Sequence, residues 1–306
     1  MQFIKKTSID FIGKRKVTFV ISSFIAIVGI IGVIQIARNA ANMGIDFSGG
    51  TSIQLNFTQP IPLEKAREVL ANHNLKEASL QEIKEGNKLL IKVGKTSLET
   101  GKVAETIKDV FKKEFPENSF IEESSSEIGP SIGDKLKKDT LKAVGISMLG
   151  IILYIAWRFD FKFGVGAIIA TLHDVLAMIA LFFVMDKEIN LLFVTAVLTI
   201  AGYSLTDTVV IFDRIRENLN KNMIESLENT FNNSINEVLS RTIITSLTTF
   251  LAAMSLFIFG GEVIHDFALA LVAGVVIATY SSMFIASPIV LELENRRKKI
   301  PARDQL

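Results

Sequence analysis

Carboxylates lie inside apolar segments of this chain, where a side chain that can gain or lose a proton has few structural uses. Asp207 lies in the stretch "GYSLTDTVVIFDRIREN", and Asp174 follows His173 in an earlier apolar run. An aspartate at the centre of a membrane helix costs about 2.5–3.5 kcal/mol on insertion scales, so such residues usually mark ion or proton pathways. Asp207 and Asp174 are therefore candidates for proton binding. His173 by itself fits a hydrogen-bonded structural histidine equally well.

An arginine and a series of hydroxyl groups are the candidate partners of Asp207. Arg241 opens a later apolar run, and Thr245 and Thr249 belong to a hydroxyl-rich stripe that follows it. Burial favours a neutral aspartic acid, whereas a nearby arginine favours the carboxylate, so a site with both can change its protonation state. The stripe can hydrogen-bond water inside the bilayer. Such stripes also often only satisfy the helix backbone or pack helices, and this alternative stays open.

The residues around Asp207 in sequence extend the candidate proton pathway. Ser204 and Thr208 flank Asp207 on one side of a helix, because residues three and four positions apart share a helical face. Asp213 and Arg214 follow at the end of the apolar run. They are candidates for the same pathway, but their position also fits charged side chains at the membrane interface.

The segments that must position these residues are six long apolar runs. The chain has 306 residues, of which 49% are hydrophobic and 22 are phenylalanine, a composition typical of a membrane protein. A bilayer core requires about 20 helical residues. The runs are 17–37, 140–157, 163–185, 189–212, 242–261 and 267–291. The sequence therefore predicts an α-helical multi-pass membrane protein with six transmembrane helices.

Charged residues in the short loops predict the orientation of these helices. Lysines and arginines are concentrated before the first run, in 158–162, in 213–241 and after the sixth run. The alternate loops, at 186–188 and 260–262, contain few of them. Because loops rich in lysine and arginine stay on the cytoplasmic side, both termini are predicted to be cytoplasmic.

A polar insert separates the first apolar run from the second. Its pattern alternates strand-like and helix-like segments in the order β-α-β-β-α-β, which predicts an α+β ferredoxin-like domain on the extracytoplasmic side. The predicted organisation is residues 1–37 for the N-terminus and first helix, 38–138 for the insert, 139–291 for the other five helices and 292–306 for a basic cytoplasmic tail. A periodic polar segment at about 219–240 predicts a cytoplasmic amphipathic helix.

Composition also excludes several classes of function. The 33 basic and 32 acidic residues leave no basic excess of the kind that nucleic-acid binding requires. The chain has no cysteine, which excludes disulfides and Cys-ligated zinc or iron–sulfur centres. No motif indicates a cofactor, a metal or a catalytic residue. We expect no enzymatic activity and no nucleic-acid partner.

Four motifs resemble those of the SecF family of protein-export membrane proteins, relatives of the resistance-nodulation-division transporters. They are "GIDFSGGTSIQL", the pair "HD", "SLTDTVVIFDRIREN" and "SRTIITSLTTF". The resemblance covers essentially the whole chain. The residues matched to family motifs are Gly44, Asp46, Phe47, Gly49, Gly50, His173, Asp174, Ser204 and Thr208.

The resemblance implies a function and a set of partners. It implies a bacterial cytoplasmic-membrane protein that pairs with a separate six-helix SecD chain and works with the SecYEG channel, often with YajC. Using the proton-motive force, such a pair helps to complete the export of a preprotein. The family's proton-path carboxylate falls on Asp207 and its partner arginine on Arg241. Membrane lipid is the remaining implied partner.

Other functions compete with this interpretation. A half-transporter of the resistance-nodulation-division type would export a small molecule or a lipid by the same proton chemistry, but it is expected to carry a larger external domain with an aromatic cleft. Asp174 and Asp207 could form an intramembrane aspartyl protease dyad, although the expected Gly-x-Gly-Asp element is absent before Asp207. A purely structural scaffold is the third alternative.

Overall fold

The computed structural model describes residues 7–38, 40–73, 75–76, 78–83, 86–94, 102–221 and 225–299. The outermost parts of the predicted basic ends, 1–6 and 300–306, lie outside the described residues, as does 222–224 of the predicted amphipathic segment. The chain divides into two compact units. One contains the chain up to Asn42, Val144–Glu188 and the chain from Leu192 onward, and the other contains Met43–Ala143 with Ile189–Leu191.

The elements follow one another in chain order as follows. They are α1 (Arg15–Ala37), α2 (Ile45–Ser48), β1 (Gly50–Phe57), α3 (Leu63–Asn72), β2 (Ser79–Ile83), β3 (Lys88–Val93), α4 (Val103–Glu114), β4 (Phe120–Ile128), α5 (Pro130–Arg158), α6 (Phe161–Val184), α7 (Leu191–Lys221), α8 (Leu227–Phe259), α9 (Glu262–Ser281), a π-helical turn (Ser282–Ala286) and α10 (Ser287–Lys299).

Within the described part of the chain, six helices are long and apolar enough to cross a membrane. This agrees with the six predicted spans. The helices extend beyond the apolar runs, because a helix can continue into polar sequence once its first turns are formed. The segment predicted as one amphipathic helix is divided: residues 219–221 end α7, and residues 227–240 begin the 33-residue α8. Ser226 caps α8, since its hydroxyl accepts a hydrogen bond from the Asn229 N–H.

The last apolar helix is interrupted by a π-helical turn. Residues Ser282–Ala286 form this turn between α9 and α10, and Ser287 Oγ donates to the Ser282 carbonyl oxygen at 3.1 Å. A π-helical turn inserts one extra residue into a helix and is frequent at functional sites. It changes the direction in which the residues on either side of it point.

The helical unit has a core in which small residues allow close helix packing. A Cβ atom on Gly32 of α1 would lie 2.9 Å from the Ile179 side chain of α6, so no larger residue fits there without movement. The core itself is formed by aromatic and aliphatic side chains that include Phe212, Phe231 and Ile235. Close approach of this kind is how helices associate in a bilayer, where no hydrophobic force draws them together.

The N-terminal segment attaches to α8 through polar contacts. Asn232 Oδ1 accepts hydrogen bonds from the backbone N–H of Phe11 at 2.9 Å, and its Nδ2 donates to Asp10 Oδ1. The backbone N–H of Gly13 and the Asn232 amide hold the pKa of Asp10 below its ordinary value. Phe11 is buried in the helical core, so this segment is part of the packed unit.

The second unit contains a four-stranded antiparallel sheet in the order β2-β3-β1-β4. Alternate residues of β1 point towards the helices α3 and α4, and Ile53, Leu55 and Phe57 are buried there with Ile107 and Phe111. This alternation is the period-2 pattern expected for a sheet with one buried face. The core of this unit is therefore supplied by residues close together in sequence.

A β-bulge in the pairing of β1 with the edge strand β4 places an acidic residue. Gln54 of β1 pairs with Ser124, whereas the next residue, Leu55, pairs with Glu122, so Glu123 is the extra residue. Glu123 accepts hydrogen bonds from Gln54 Nε2 at 2.7 Å and pairs with Lys88 Nζ at 3.0 Å. The Lys88 ammonium is the largest cause that holds the pKa of Glu123 below its ordinary value.

Candidate functional site

Asp174 has no exposed surface, and three polar side chains surround its carboxylate. Ser204 Oγ from α7 donates to Oδ2 at 2.5 Å, and Ser281 Oγ from the end of α9 donates to the same oxygen at 2.9 Å. His173 Nδ1 lies 3.3 Å from Oδ1. A buried carboxylate is tolerated only with compensating partners, so these contacts join three helices around one acidic group.

A face of small residues brings α6 close to the π-helical turn. Gly166, Ala170 and Asp174 are spaced by four and share this face. A Cβ atom on Gly166 would lie 2.6 Å from the Val290 side chain and 3.0 Å from the Ala286 carbonyl oxygen. The α6 backbone therefore packs directly on the segment that follows Ser281.

Asp207 lies in α7 and is half-buried. Ser282 Oγ donates to its Oδ2 at 2.6 Å. Arg241 of α8 exerts an electrostatic effect on Asp207, but it is exposed, and no ion pair within 4.0 Å joins these two described residues. The predicted pair is thus brought into the same region without direct contact.

Thr242 is the hydroxyl of the α8 stripe that faces Asp207. Its side chain contributes to the electrostatic environment of Asp207, yet its buried Oγ1 has no partner that satisfies hydrogen-bond geometry among the described residues. The threonines predicted for the pathway behave differently: Thr245 Oγ1 donates to the Arg241 carbonyl, and Thr249 Oγ1 donates to the Thr245 carbonyl.

A second hydroxyl of the stripe connects helices. Ser246 Oγ accepts hydrogen bonds from Tyr203 of α7 at 3.1 Å and from Thr279 of α9 at 2.7 Å. The stripe therefore contains two kinds of residue, those that satisfy their own backbone and those that face neighbouring helices. The spacing of the hydroxyls alone does not separate the two kinds.

Ser281 and Ser282 are the site residues that the sequence analysis did not predict as such. They are adjacent and fully buried, and they donate to Asp174 and Asp207 respectively. Consecutive helical residues point about 100° apart, which is why neighbours in sequence reach carboxylates on different helices. The available signal was the pair of serines directly after Tyr280 inside an apolar run.

Asp213 and Arg214 make their contacts elsewhere. Asp213 pairs with Arg158 at 2.8 Å, while Arg214 pairs with Glu217 at 2.6 Å and with Glu237 at 2.5 Å. These are contacts between partly exposed side chains. The structure therefore does not bring Asp213 or Arg214 to the Asp207 carboxylate. Thr208, another predicted residue, is buried beside Asp207 on α7.

His173 has one nitrogen towards Asp174 and one without a partner. Its buried Nε2 has no hydrogen-bond partner within the part of the chain that the structure describes. Its ring lies 6.3 Å from that of Tyr280, measured between centroids. The arrangement leaves His173 able to orient Asp174 through Nδ1.

The Gly-Gly motif lies in the unit that contains the sheet. Gly49 and Gly50 have φ angles of 71° and 138°, which favour glycine, and a Cβ atom on Gly50 would collide with the Val93 carbonyl oxygen. Asp46 Oδ2 accepts a hydrogen bond from the Leu191 N–H at 2.9 Å, which caps the first residue of α7.

The same motif is completed by two further contacts. The Gly44 N–H donates to the Ile189 carbonyl oxygen at 2.9 Å, and Phe47 is buried. Met43 and Ile189 form a parallel bridge. The motif therefore holds the residues that lead into α7, which explains why a segment distant in sequence clusters with this unit.

The two carboxylates are suited to binding and releasing protons. A serine hydroxyl donates to a charged carboxylate and can also accept from a protonated one, so each site accommodates both states. No group of three His, Cys, Asp or Glu side chains within the described ranges is placed to hold a metal ion. The groups available for chemistry here are carboxylates, hydroxyls and an imidazole.

Within the described residues, six helices long and apolar enough to cross a membrane, with carboxylates held between three of them, are typical of a multi-pass membrane protein. Comparison with known proteins gives the family. Residues 106–296 match the family described as protein export membrane protein SecD/SecF, C-terminal, and residues 40–61 match the SecD/SecF GG motif. The chain belongs to the SecD/SecF family and, by its relatives, to its SecF branch.

Full-length relatives include two named protein translocase subunit SecF. The chain is 50% identical to that of Thermodesulfovibrio yellowstonii, covering 96% of this chain and 97% of the relative. It is 41% identical to that of Calditerrivibrio nitroreducens, covering 98% and 99%. It also resembles the crystal structure of SecDF from Thermus thermophilus, a translocon-associated membrane protein, with a TM-score of 0.82 and 32% identity. The match covers 95% of this chain but 39% of the SecDF chain.

Proposed function

We propose that this chain is a proton-coupled subunit of a protein-export machine, which uses the proton-motive force to promote late steps of export across the bacterial cytoplasmic membrane. Its relatives are translocase subunits, and the solved SecDF is described as translocon-associated. The proposal assigns the proton step to this chain's own residues and treats the chain as a transport protein rather than an enzyme.

The observation that carries the proposal is the environment of Asp207. This carboxylate lies within an apolar helix, receives a hydrogen bond from Ser282 and senses the charge of Arg241 without an ion pair. A direct, buried ion pair would hold the carboxylate charged. Without such an ion pair between these two described residues, the charge of Asp207 stays responsive to proton supply, which a proton-coupled step requires.

A transport role also fits the way in which the two aspartates are held. Asp174 is bound by Ser204 and Ser281, and Asp207 by Ser282. A protease dyad would require two carboxyl groups that share a proton through direct contact. Separate hydroxyl partners favour proton transfer along a path over joint attack on a peptide bond.

The proposed partner is a separate SecD-type chain. The matched structure is named SecDF, which supports a SecD-type partner, and this chain covers 39% of it. Helix α5 exposes the apolar side chains of Ile146, Leu149 and Leu153 in this chain. Such an exposed apolar face supports the proposal that a partner chain or lipid packs against α5. We further propose that the complex acts with the SecYEG channel, with YajC and with the translocating preprotein.

The proposed placement puts both termini in the cytoplasm and the sheet-containing unit outside the cytoplasmic membrane. The distribution of lysine and arginine between the loops supports this orientation. The strand order β2-β3-β1-β4, with one helix after β1 and one after β3, supports a ferredoxin-like domain. The domain would then lie on the side to which an exported chain emerges.

The test is export into membrane vesicles that contain the full complex, with and without an uncoupler. Asp207→Asn keeps the size of the side chain but cannot titrate, so we expect the complex to assemble and the proton-dependent stimulation to be lost. Moving one charge through 100 mV provides about 2.3 kcal/mol, which a side chain that cannot ionise is unable to use.

Asp160→Asn is the matched control, because Asp160 is an exposed carboxylate before α6 that makes no capping hydrogen bond. It should export at the parental rate. Parental export and parental uncoupler sensitivity in Asp207→Asn would remove Asp207 from the proton path. If Asp207→Asn exported proteins normally but lost the transport of a small solute, the result would instead favour a half-transporter.

A further inference from the structure

Ser281 and Ser282 each have two acceptors but only one hydroxyl proton. Ser281 Oγ lies 2.9 Å from Asp174 Oδ2 and 3.1 Å from the Ala278 carbonyl oxygen of its own helix. Ser282 Oγ has the same pair of options, Asp207 Oδ2 at 2.6 Å and the Thr279 carbonyl oxygen at 3.1 Å. A hydroxyl donates one hydrogen bond at a time, so each serine can donate either to the carboxylate or to the backbone carbonyl.

The charge of the carboxylate decides the choice. A charged carboxylate is the stronger acceptor, because a hydrogen bond to an ionised group is roughly twice as strong as a neutral one. A protonated carboxyl group has a proton of its own to donate. It can donate to the serine oxygen, which frees the serine proton for the backbone carbonyl.

One of these carbonyls already has a backbone partner. The Ala278 carbonyl oxygen accepts from the Ser282 N–H, at the residue where the π-helical turn begins. A second donor from Ser281 competes for it, and serine hydroxyls that bond to the backbone of their own helix weaken and bend that helix. Protonation of Asp174 would therefore weaken the backbone hydrogen bond at the start of the turn.

We propose that Ser281 and Ser282 are positioning residues that convert the protonation of Asp174 and Asp207 into a change of backbone hydrogen bonding at the π-helical turn. The two serines contact different carboxylates, one on α6 and one on α7. A change in the charge of either carboxylate therefore affects the same turn. The turn leads into α10, so the change in hydrogen bonding falls at the junction between α9 and α10. The role of this change in export rests on the proposed proton coupling, whereas the hydrogen-bond change itself rests only on the geometry of the serines.

Other titratable groups face this pair and must be separated from it. His173 lies beside Asp174 on α6, and Arg241 on α8 acts on Asp207. Tyr280 precedes the serines, but its hydroxyl donates to the Thr18 carbonyl oxygen of α1. Of these groups, His173 is the one that lies next to Asp174, so a His173 variant must be compared with the serine variants.

Hydrogen–deuterium exchange of the full-length protein in lipid nanodiscs tests the proposal. Exchange of the Ser282 amide is followed at acidic and at alkaline pH and corrected for the intrinsic rate. We expect protection to fall about fivefold on acidification, the factor given by a hydrogen bond of about 1 kcal/mol. Ser281→Ala and Asp174→Asn should each abolish this pH dependence, and Ser281→Thr, which keeps the hydroxyl, should retain it.

Ser287→Ala is the matched control within the same segment. Ser287 is buried and donates to the Ser282 carbonyl, but it does not touch a carboxylate. Its loss should alter protection equally at both pH values. A pH dependence that persists in Ser281→Ala and disappears in His173→Gln would overturn the proposal in favour of the histidine. The readout does not involve export. A parent protein that shows the expected exchange behaviour but no proton-dependent export would refute the proposed function and leave this proposal standing.

Discussion

Ser282 Oγ lies 2.6 Å from Asp207 Oδ2. Within the described residues this is the only hydrogen bond to the carboxylate, and its donor is the first residue of a π-helical turn. A π-helical turn is less stable than an α-helix and is retained mostly where function needs it. The contact joins α7 to the segment between α9 and α10. Any change in the charge of Asp207 therefore acts first on an irregular piece of backbone.

Arg241 should be required for proton-dependent export although it forms no ion pair with Asp207. Arg241→Met removes the positive charge that acts on this carboxylate. We expect the variant to insert and assemble normally and to lose the stimulation that an uncoupler abolishes. Vesicle export with and without the uncoupler measures this.

Arg214→Met is the matched control for that experiment. Arg214 is bound to Glu217 and Glu237, so its loss should leave coupling intact and cost less than about 1 kcal/mol, as is usual for partly exposed ion pairs. Equal loss of stimulation in both variants would show that Arg214 acts on the pathway in spite of these contacts.

Reporter fusions should establish the orientation of the spans. A reporter inserted within residues 64–123 should be active only outside the cytoplasm, and one within 296–299 only inside it, because the loops rich in lysine and arginine stay in the cytoplasm. A fusion within the loop at 158–162 serves as an internal control for the cytoplasmic side. The opposite activity at either main site contradicts the six-span orientation.

The sheet-containing domain should fold without the membrane helices. Its hydrophobic core is formed by residues between Ile53 and Phe111, with Phe120 packed against it. Residues 40–130 should therefore give mixed α/β circular dichroism and a cooperative thermal transition. Gly50→Ala should destabilise this fragment, since alanine at a φ of 138° is strained and its Cβ would meet the Val93 carbonyl. A coil-like spectrum of the parent fragment would rule out independent folding.

The stability of the domain should depend on pH through Glu123. Lys88 first, and then Asn56 and Gln54, hold the pKa of this carboxyl below its ordinary value of 4.5. The unfolded state binds the proton more readily, so the stabilisation is complete above the unfolded-state pKa and is lost as pH falls through the lower, folded-state pKa.

Glu123→Gln should therefore lower the free energy of unfolding at neutral pH by less than about 1 kcal/mol, the usual worth of a partly exposed pair. The difference from the parent should vanish in acid. Denaturant unfolding of the 40–130 fragment at both pH values measures it. Glu117→Gln, at an exposed glutamate, is the control and should have no such dependence. An unchanged difference between neutral and acidic pH would mean that Glu123 is not the titrating group.

The number and class of the elements follow from the sequence by itself. Within a bilayer every backbone polar group needs an internal partner, so long apolar runs must be helices, and six runs yield six helices. The alternation of apolar residues around Ile53 and Leu55 likewise predicts strands with one buried face. The carboxylates Asp174 and Asp207 could be identified from the sequence as candidate site residues, because few other charged side chains interrupt the apolar runs.

Only the tertiary structure decided which side chains meet. The sequence leaves open whether Asp213 and Arg214 join Asp207 or lie at the membrane interface, and the rotation of α7 turns Asp213 towards Arg158. It places Ser281 and Ser282 within one apolar run, but which carboxylate each reaches depends on how α9 packs against α6 and α7. Such contacts depend on the rotation of each helix about its axis and on the extra residue of the π-helical turn. Periodicity along a single helix carries no information about either, because both are set by packing against the other helices.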